Sequence, residues 1–386
     1  MKTRAALTYE TDQAWDVGKE LWKIEELTIN RFEADDVLVH LTSSGVCHTD
    51  LHMITGDLPP AMLPMIGGHE AAGIVEDVGA NVTHVKPGDH VILSIMPCCG
   101  ECRFCRSGMS HLCVRAMNAL AGHHPDGQFR YRNANGQDVG QWSLVGSFAE
   151  YVVTPRDSVI KIDDDLPFDK ASLVGCAVTT GFGAAVDRAK VRPGDTVVVW
   201  GCGGVGLSAV QGAVLSGAAD VIAIDINDFK LEKAREFGAT VTLNPNRDRS
   251  PNPFRDETAE KVMEFTNWVG ADSALLTVDY ITPELVGAGF ESIRNGGMLV
   301  LVGVSNPRHN HLPIMPLNVT FTEKIITGCV YGSGNPAISL PRNLRLYQKG
   351  KLKLDEMITN EYALEDVNQA FEDLLNGTNV KSILRF

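Results

Sequence analysis

Four cysteines that lie close together in the chain have the spacing of a zinc site. They follow the pattern C-x2-C-x2-C-x7-C at Cys99, Cys102, Cys105 and Cys113. Four thiolates complete the tetrahedral shell of a zinc ion and leave no open position, so this spacing predicts a structural zinc. Such an ion would stabilise a loop that is too short to have its own core. A register with Cys98 as the first ligand would widen the first gap, and we therefore prefer Cys99.

Three further residues of metal-binding type, Cys47, His69 and Cys176, are scattered along the chain. One histidine and two cysteines can hold a zinc ion while leaving a fourth position for water or an alcohol oxygen. An alcohol at that position becomes more acidic, as zinc-bound water does. Spacing alone does not pair residues more than a hundred positions apart. A buried cysteine or a histidine in a turn is the alternative interpretation of each.

A glycine-rich turn, GCGGVG at residues 201–206, matches the pattern G-x-G-x-x-G. It follows a predicted strand and opens a predicted helix, which is the context in which this pattern binds dinucleotides. The glycines keep the turn tight, and the amides at the helix N-terminus face the pyrophosphate. A purely structural glycine turn is the alternative. The expected coenzyme contacts in this turn are Gly201, Gly203, Gly204, Val205 and Gly206.

Asp225 ends the next predicted strand, nineteen residues after Gly206. A carboxylate at this position accepts hydrogen bonds from the ribose hydroxyls and repels a 2′-phosphate, so Asp225 predicts NAD rather than NADP. Lys230 follows five residues later and is a candidate contact of the adenosine ribose. A solvated lysine on a helix is the alternative for Lys230.

The elements that must position these residues differ between two parts of the chain. In the earlier part, short apolar runs are separated by glycine and proline turn signals, which predicts a β-rich domain. From about Arg192, apolar runs at residues 196–200, 221–225 and 298–302 alternate with helical segments. This alternation predicts an α/β domain with a doubly wound parallel sheet.

Length, composition and charge limit the class of protein. The chain has 386 residues, of which 44% are hydrophobic and 21% are charged, which suggests two or three domains without extensive disorder. The net charge of −14 argues against nucleic acid and anionic membranes as partners. We find neither a signal peptide nor a run near the ~20 apolar residues of a membrane helix. We therefore expect a cytoplasmic protein with reduced thiols.

The sequence resembles the zinc-dependent medium-chain alcohol dehydrogenases over essentially its whole length. The resemblance implies a β-rich, GroES-like catalytic domain formed by residues 1–177 and 331–386, with a structural-zinc lobe. It also implies an NAD-binding Rossmann domain over residues 178–330. The resemblance rests on GVCHTD at 45–50, GHEAAG at 68–73, the cysteine segment 99–113, the turn at 201–206 and VIAIDIN at 221–227.

The resemblance implies that Cys47, His69 and Cys176 bind the catalytic zinc. Glu70 matches a family glutamate close to the metal, which can exchange with a ligand. Asp50 matches a carboxylate that holds the zinc-bound imidazole.

A proton relay is also implied, and it maps onto Thr49 and His52. The Thr49 hydroxyl would take the alcohol proton and pass it through a ribose hydroxyl to His52, which suits release to solvent near neutral pH.

Three coenzyme contacts carry over from the family. Thr180 matches a residue beside the nicotinamide, and His48 matches a contact of the pyrophosphate that is Arg in many members. Lys381 matches a basic phosphate contact that is often Arg. Because His48 and Lys381 lack the bidentate fork of arginine, we expect them to affect the tightness and release of the coenzyme rather than the chemistry.

The same resemblance implies a substrate pocket, although ordinary core residues are the alternative for each position. Ile95 replaces a frequently aromatic residue, so a smaller wall leaves room for branched or aromatic primary alcohols. The charged pocket of the glutathione-adduct enzymes is not matched convincingly, because Asp57 and Arg115 are off register. The predicted pocket residues are Leu58, Ile95, Val304, which is also a coenzyme contact, and Val330.

The leading hypothesis is the reversible, NAD-linked oxidation of a primary alcohol to an aldehyde, with two zinc ions per chain. A close alternative is a nicotinoprotein, in which NAD(H) stays bound and an external acceptor reoxidises it, because residues 175–183 and 362–371 resemble that bacterial subgroup. A remote alternative is a non-catalytic NAD-binding protein, which would not require the intact set of zinc ligands and relay residues.

The expected partners are a small alcohol or aldehyde and a second copy of the chain. The segment 122–146 is long and polar, and because long-loop members of the family that the chain resembles are usually dimers, the resemblance implies a homodimer rather than a tetramer. The subunit contact would come from strands around residues 298–305.

Overall fold

The computed structural model describes residues 1–12, 18–247, 256–306 and 308–386. These residues form two compact units. The first unit combines Met1–Cys176 with Asn335–Phe386, and the second unit is Ala177–Gly334. None of the helices within the described ranges is long and apolar enough to cross a membrane.

The strands are listed in chain order. They are β1 (Lys2–Thr8), β2 (Lys23–Ile29), β3 (Asp36–Val46), β4 (Met65–Ile66), β5 (Glu70–Val78), β6 (His90–Leu93), β7 (Tyr131–Arg132), β8 (Asp138–Gln141), β9 (Tyr151–Pro155), β10 (Val159–Lys161), β11 (Thr196–Trp200), β12 (Asp220–Ile224), β13 (Val241–Leu243), β14 (Ala271–Leu276), β15 (Ile293–Leu301), β16 (Ile325–Gly328), β17 (Ile358–Ala363) and β18 (Lys381–Arg385).

The α-helices alternate with these strands most regularly in the second unit. They are α1 (His48–Thr55), α2 (Arg103–Arg106), α3 (Phe168–Leu173), α4 (Thr179–Gly183), α5 (Gly204–Leu215), α6 (Asp228–Glu236), α7 (Glu257–Phe265), α8 (Pro283–Ser292), α9 (Pro316–Thr322), α10 (Pro336–Gln348) and α11 (Val367–Leu375).

The first unit is β-rich, as the sequence predicts. Strands β1, β2, β7, β8 and β4 close a barrel, and a second sheet has the order β10-β6-β5-β3-β18-β17 with β9 also paired to β3. The long strand β3 has apolar and β-branched residues that pack into the core, among them Val37, Val39 and Leu41. Strand β18 pairs antiparallel with the end of β3, so residues from the two ends of the unit meet there.

Strand β3 and helix α1 meet at Cys47, which is the N-cap of α1. Helix α1 ends at Gly56, which has a φ of 78° and can adopt this left-handed conformation without a Cβ clash. This short helix positions several of the predicted site residues directly after the core strand.

The second unit contains a six-stranded sheet in the order β13-β12-β11-β14-β15-β16. Every paired neighbour is parallel. The short apolar strand β11 (TVVVW) is almost fully buried, as expected for a central strand of a parallel sheet. Because the order runs outward in both directions from β11, this is the doubly wound Rossmann topology, and the predicted fold class is confirmed.

Candidate functional site

The four clustered cysteines lie together at one point of the first unit. Each offers a sulfur, and the four sulfurs lie within 4.8 Å of one another. The Sγ atom of Cys99 is 3.5 Å from that of Cys113 and 3.9 Å from that of Cys105. Backbone hydrogen bonds from Cys105 and Val114 lower the pKa of the Cys102 thiol to about 6. Four gathered sulfurs, one of them favoured as a thiolate, have the chemistry of a closed zinc site.

Cys98 lies outside this cluster, which supports the preferred register with Cys99 as the first ligand. Its Sγ is 3.5 Å from Oδ1 of Asn335. Burial raises the pKa of this thiol to about 11, so it is held as a neutral thiol. The sulfur that joins the other three is that of Cys99.

The scattered metal-type residues also converge within the first unit. Cys47, His69, Glu70 and Cys176 each offer one ligand atom, and these atoms lie within 4.8 Å of one another. Cys47 follows β3, His69 precedes β5, and Cys176 lies in a π-helical turn over Val174–Val178. A π-helical turn is a frequent feature of functional sites. The pairing of β3 with β5 brings the first two segments side by side.

The imidazole of His69 is held from behind by a buried carboxylate. His69 Nδ1 is 2.9 Å from Asp50 Oδ1, and the Gly68 N–H donates to the same oxygen at 3.0 Å. Both side chains are fully buried. With Nδ1 on Asp50, the lone pair of Nε2 is directed away from it, and Nε2 has no hydrogen-bond partner among the described residues. A buried imidazole nitrogen without a partner, beside two thiols, fits a zinc ligand.

The two thiols of this cluster differ in their ionisation. A hydrogen bond from Cys176 holds the pKa of Cys47 well below its usual value despite burial, and the positive charge of Lys381 adds to the effect. The same hydrogen bond and burial raise the pKa of Cys176. The shifts run in opposite directions, so the thiolate form is favoured at Cys47 over Cys176.

A buried ion pair joins Glu70 to Lys381. Lys381 Nζ is 2.8 Å from Glu70 Oε2 and donates to the Val46 carbonyl at 2.8 Å. Burial raises the pKa of Glu70 to about 7, although the Lys381 ammonium opposes this. Sequence reasoning missed this contact and assigned Lys381 to a coenzyme phosphate. That role stays a prediction, and the structure places the ammonium on Glu70 and the β3 backbone.

Gly45 makes room for this carboxylate. A Cβ atom at Gly45 would lie 2.1 Å from Glu70 Oε2. The glycine at this register of β3 is therefore required by the side chain that lies opposite it on β5.

The predicted relay residues lie on helix α1. The Sγ atom of Cys47 is 3.7 Å from Thr49 Oγ1, so this hydroxyl lies beside the cysteine cluster. His52 follows three residues later on the same helix face and is buried. Its Nδ1 is 3.4 Å from Asp57 Oδ2, and Thr55 Oγ1 donates to the same oxygen at 2.8 Å. Asp57 is thus a neighbour of the relay histidine, which sequence reasoning did not predict. His48, also on α1, is half-buried.

In the second unit, the glycine-rich turn joins β11 to α5. Gly201 has a φ of 91°, and a Cβ atom at Gly206 would lie 1.8 Å from the Gly201 carbonyl oxygen. A Cβ atom at Gly203 would meet nothing within 4 Å, so this side of the turn is open for a ligand. The turn therefore has the tight backbone and the open approach that a pyrophosphate requires.

Asp225 lies at this turn. Its Oδ2 accepts the Cys202 N–H at 2.7 Å, and its Oδ1 accepts the Asn227 N–H at 2.8 Å. Two backbone donors fix the carboxylate at the end of β12, where ribose hydroxyls are expected. Lys230 is half-buried on α6, five residues further along.

The remaining predicted residues are distributed over both units. Leu58 and Ile95 are half-buried against the cores of the first unit. Within the second unit, Thr180 lies on α4, Val304 forms a β-bridge with Tyr280, and Val330 is 43% exposed. Their assignment to pocket and coenzyme stays a prediction.

Two family models match the chain. The alcohol dehydrogenase GroES-like domain matches residues 33–164, and the zinc-binding dehydrogenase model matches residues 204–348. An NDMA-dependent alcohol dehydrogenase of Amycolatopsis methanolica is 43% identical over 384 residues, covering 100% of this chain and 99% of that one. An S-(hydroxymethyl)glutathione dehydrogenase of Saccharomyces cerevisiae is 40% identical over 377 residues, covering 96% and 95%.

A solved structure gives the same result. The benzyl alcohol dehydrogenase of Acinetobacter calcoaceticus has a TM-score of 0.88 and 31% identity, with 100% of this chain and 99% of that chain covered. The expected GroES-like and Rossmann architecture is therefore confirmed, and so is the enzyme class. Identity and fold over the full length place this chain in the zinc-dependent medium-chain alcohol dehydrogenase family, as an alcohol oxidoreductase with a nicotinamide coenzyme.

Proposed function

We propose that this enzyme oxidises a primary alcohol to the aldehyde with NAD, reversibly, at a zinc ion bound by Cys47, His69 and Cys176. The observation that carries the proposal is the fully buried His69 ring, held at Nδ1 by Asp50, with its Nε2 directed into a cluster that contains two cysteines. When bound there, zinc would polarise the alcohol oxygen and lower the pKa of the hydroxyl. The cysteines of the second cluster, Cys99, Cys102, Cys105 and Cys113, would hold a second, structural zinc.

The chain's own residues would then move the proton. Thr49 Oγ1, beside Cys47, accepts the proton of the alcohol and donates its own along the relay. His52 receives it, and Asp57 orients the ring of His52 through Nδ1. Glu70 and Lys381 form a buried ion pair next to the proposed ligands.

We assign the coenzyme to the second unit, with Gly201–Gly206 around its pyrophosphate and Asp225 on the adenosine ribose. The two backbone N–H groups that hold Asp225 support this assignment, because they fix the position of the carboxylate at the end of β12. A 2′-phosphate at this position would be repelled, so NAD is proposed over NADP. Thr180, Lys230 and Val304 are further proposed contacts.

The central test is His69→Ala, with zinc counted per chain in the purified protein. We expect two zinc ions in the wild type and one in the variant, with turnover lost and the fold retained. Two zinc ions and full turnover in His69→Ala would overturn the proposed site. Gln137→Leu, an exposed change in the first unit, is the control and keeps both metals.

The second candidate function is that of a nicotinoprotein, an alcohol dehydrogenase that keeps its coenzyme tightly bound. It is favoured by the relative of 43% identity, whose alcohol dehydrogenase activity is described as NDMA-dependent. The measurement is the coenzyme content after extensive dialysis, followed by turnover of an alcohol with NDMA and with added NAD. One NAD(H) retained per chain, with turnover that requires NDMA, would establish a nicotinoprotein. Coenzyme lost on dialysis and turnover driven by added NAD would establish free exchange.

The proposed substrates are branched or aromatic primary alcohols. The small side chain of Ile95 and the similarity to a benzyl alcohol dehydrogenase support this class. A panel of short aliphatic, branched and benzylic alcohols tests it through kcat/KM. Because another relative is an S-(hydroxymethyl)glutathione dehydrogenase, that adduct belongs in the panel, and a higher kcat/KM for it than for benzyl alcohol would contradict the proposal.

We further propose a homodimer that forms through the edge of the parallel sheet. Strand β16 is an edge strand of that sheet, and nearby Phe321 on α9 is 77% exposed. Exposed edges and apolar side chains are typical of surfaces that a partner covers. Light scattering at several concentrations would test the dimer against a monomer or tetramer. The nine free cysteines suit a cytoplasmic location, which also remains a proposal.

A further inference from the structure

The chain that leads to His69 is held by one neighbouring segment, residues 141–148. Strand β8 runs parallel to β4, with Gln141 opposite Ile66. After a reversal, the Ser147 N–H donates to the Gly68 carbonyl at 3.0 Å, and the Phe148 N–H donates to the Gly67 carbonyl at 2.8 Å. The same segment thus contacts the backbone immediately before His69 at two successive places.

The backbone at Gly67 and Gly68 packs so closely against residues 147 and 148 that no side chain fits between them. A Cβ atom at Gly68 would lie 2.5 Å from Ser147 Oγ, and one at Gly67 would lie 2.8 Å from the Phe148 ring. Gly68 also donates its N–H to Asp50, the residue that holds the His69 ring. A shift of the 147–148 backbone would therefore be transmitted to both the main chain and the ring of His69.

The reversal that positions residues 147–148 is conformationally strained. Ser143 and Leu144 have φ values of 54° and 64°, in the left-handed region that side chains with a Cβ disfavour, and Gly146 has a φ of 58°. Such a turn persists only where surrounding contacts determine it.

Gln141 supplies contacts of this kind. Its Nε2 donates to the carbonyls of Val145 and Val153, at 3.2 and 2.7 Å, so the side chain spans the strained turn. Because the amide nitrogen is used in this way, the amide oxygen faces the other direction, and His124 Nε2 lies 3.0 Å from it. Gln141 and His124 are each 1% exposed.

A buried ion pair fixes His124 in turn. His124 Nδ1 is 3.0 Å from Asp36 Oδ1, and Arg130 Nε donates to Asp36 Oδ2 at 2.6 Å. Loss of one member would leave buried polar atoms without partners, so the network favours a single arrangement.

We propose that Gln141 and His124 are positioning residues for His69, acting through the turn at residues 142–146 and through Gly67 and Gly68. The inference rests on the proposed function, because it takes His69 as a ligand of the catalytic zinc. The alternative is that the network only stabilises the fold. The positioning role and the purely structural role differ in one prediction. Only the positioning role predicts that a substitution changes metal binding at His69 independently of the stability of the whole protein.

The experiment compares Gln141→Leu with Gln137→Leu, a change at an exposed glutamine immediately before β8. Zinc loss from the holoenzyme to excess chelator is followed in time. The phase of zinc loss that is missing in His69→Ala is assigned to the ion at His69. In Gln141→Leu we expect the His69 ion to leave at least tenfold faster, the ion of the four-cysteine cluster to leave at the wild-type rate, and Gln137→Leu to match the wild type.

Cobalt substitution gives a second readout. Cobalt at the His69 site should show shifted absorption bands in Gln141→Leu, because the position of the imidazole changes, whereas cobalt at the four-cysteine site should not. His124→Phe removes both ring nitrogens while keeping an aromatic ring and should give the same changes, so it replaces Gln141→Leu if that variant does not fold.

The inference would be overturned if folded Gln141→Leu or His124→Phe loses zinc at the wild-type rate and shows wild-type cobalt bands. This holds even if the melting temperature of the variant is lower. Loss of the His69 ion in His69→Ala together with that result would leave the proposed function intact. Retention of both ions at wild-type rates in His69→Ala would instead overturn the proposed function itself.

Discussion

Single side chains determine the orientation and the pKa values of the residues in the cluster of Cys47, His69 and Cys176. Asp50 accepts from both His69 and the Gly68 backbone, so one carboxylate fixes the ring and the chain that carries it. A hydrogen bond from Cys176 and the charge of Lys381 lower the pKa of Cys47. The His69 ring is therefore oriented by a carboxylate outside the proposed ligand set, whereas the pKa of Cys47 is lowered by a fellow ligand, Cys176, and by the Lys381 ammonium.

Asp50→Asn tests this orientation. An amide cannot accept from both donors with a full negative charge, so the proposed zinc should be held more weakly and kcat/KM should fall by about 10- to 100-fold. Zinc content after dialysis and kcat/KM measure the effect. Asp77→Asn, an exposed change on β5, is the control. Wild-type kcat/KM with full zinc in Asp50→Asn would contradict the prediction.

At the scale of elements, the glycines of the β11–α5 turn have different functions. Gly203 faces open space, whereas a Cβ atom at Gly206 would collide with the Gly201 carbonyl. The first glycine leaves room for the coenzyme, and the second permits the turn to close.

We therefore expect opposite results from two alanine substitutions. Gly203→Ala should keep the free energy of unfolding within about 1 kcal/mol of the wild type but weaken NAD binding at least tenfold. Gly206→Ala should lower the free energy of unfolding by more than about 2 kcal/mol, because the backbone must move. Denaturant unfolding measures the free energy of unfolding, and coenzyme titration measures the affinity for NAD. Equal NAD affinity in Gly203→Ala and the wild type would argue against binding of the coenzyme at the open side of Gly203.

The four-cysteine segment depends on its metal for structure. It carries only short helical turns, and the side chains of Met109 and Leu112 are exposed, so it has little core of its own.

Cys102→Ser should remove one zinc ion per chain and lower the melting temperature by several degrees, as loss of a few kcal/mol would. Cys98→Ser is the matched control, because Cys98 lies next to the cluster without joining it. Zinc content and thermal unfolding distinguish the two variants. Retention of both zinc ions in Cys102→Ser would contradict the assigned cluster, and loss of one ion from Cys98→Ser would contradict the register that begins at Cys99.

The sequence alone was sufficient to predict features that depend on residues close together in the chain. The spacing of Cys99, Cys102, Cys105 and Cys113 and the glycine turn are local patterns, and alternating strands and helices predict the parallel sheet. Cys47, His69 and Cys176 required the family resemblance, because only the pairing of distant strands brings them together.

Contacts that depend on tertiary register were not predictable. Lys381 reaches Glu70 because β18 pairs with β3, with Ser382 opposite Val46. The contact of Asp57 with His52 depends on how the chain leaves α1. Neither has a sequence signature, since each side chain alone resembles an ordinary charged surface residue.

At the scale of the whole molecule, a buried charge network contributes to the stability of the first unit. Burial would raise the pKa of Asp36, but hydrogen bonds from His124 and Arg130 outweigh it and hold the pKa below its ordinary value. The carboxylate therefore contributes stability above the ordinary carboxyl pKa of about 4, and this is lost as the pH falls through the folded-state pKa.

Asp36→Asn should accordingly be less stable than the wild type at pH 7, and the difference should shrink on acidification below about pH 4. Denaturant unfolding across a pH series gives the difference directly. Asp77→Asn should track the wild type at every pH. A difference for Asp36→Asn that remains constant down to about pH 3 would contradict the assignment.

The discontinuity of the first unit has a consequence for biosynthesis. Cys47, His69 and Cys176 are all translated before the second unit, whereas β18 is translated after it. During synthesis the three proposed ligands are thus complete while Glu70 still lacks its ammonium partner and β3 still has an open edge. A ribosome-bound chain that ends before Lys381 should bind zinc at this site less tightly than the finished enzyme, so that translation itself sets the moment at which the metal becomes secured.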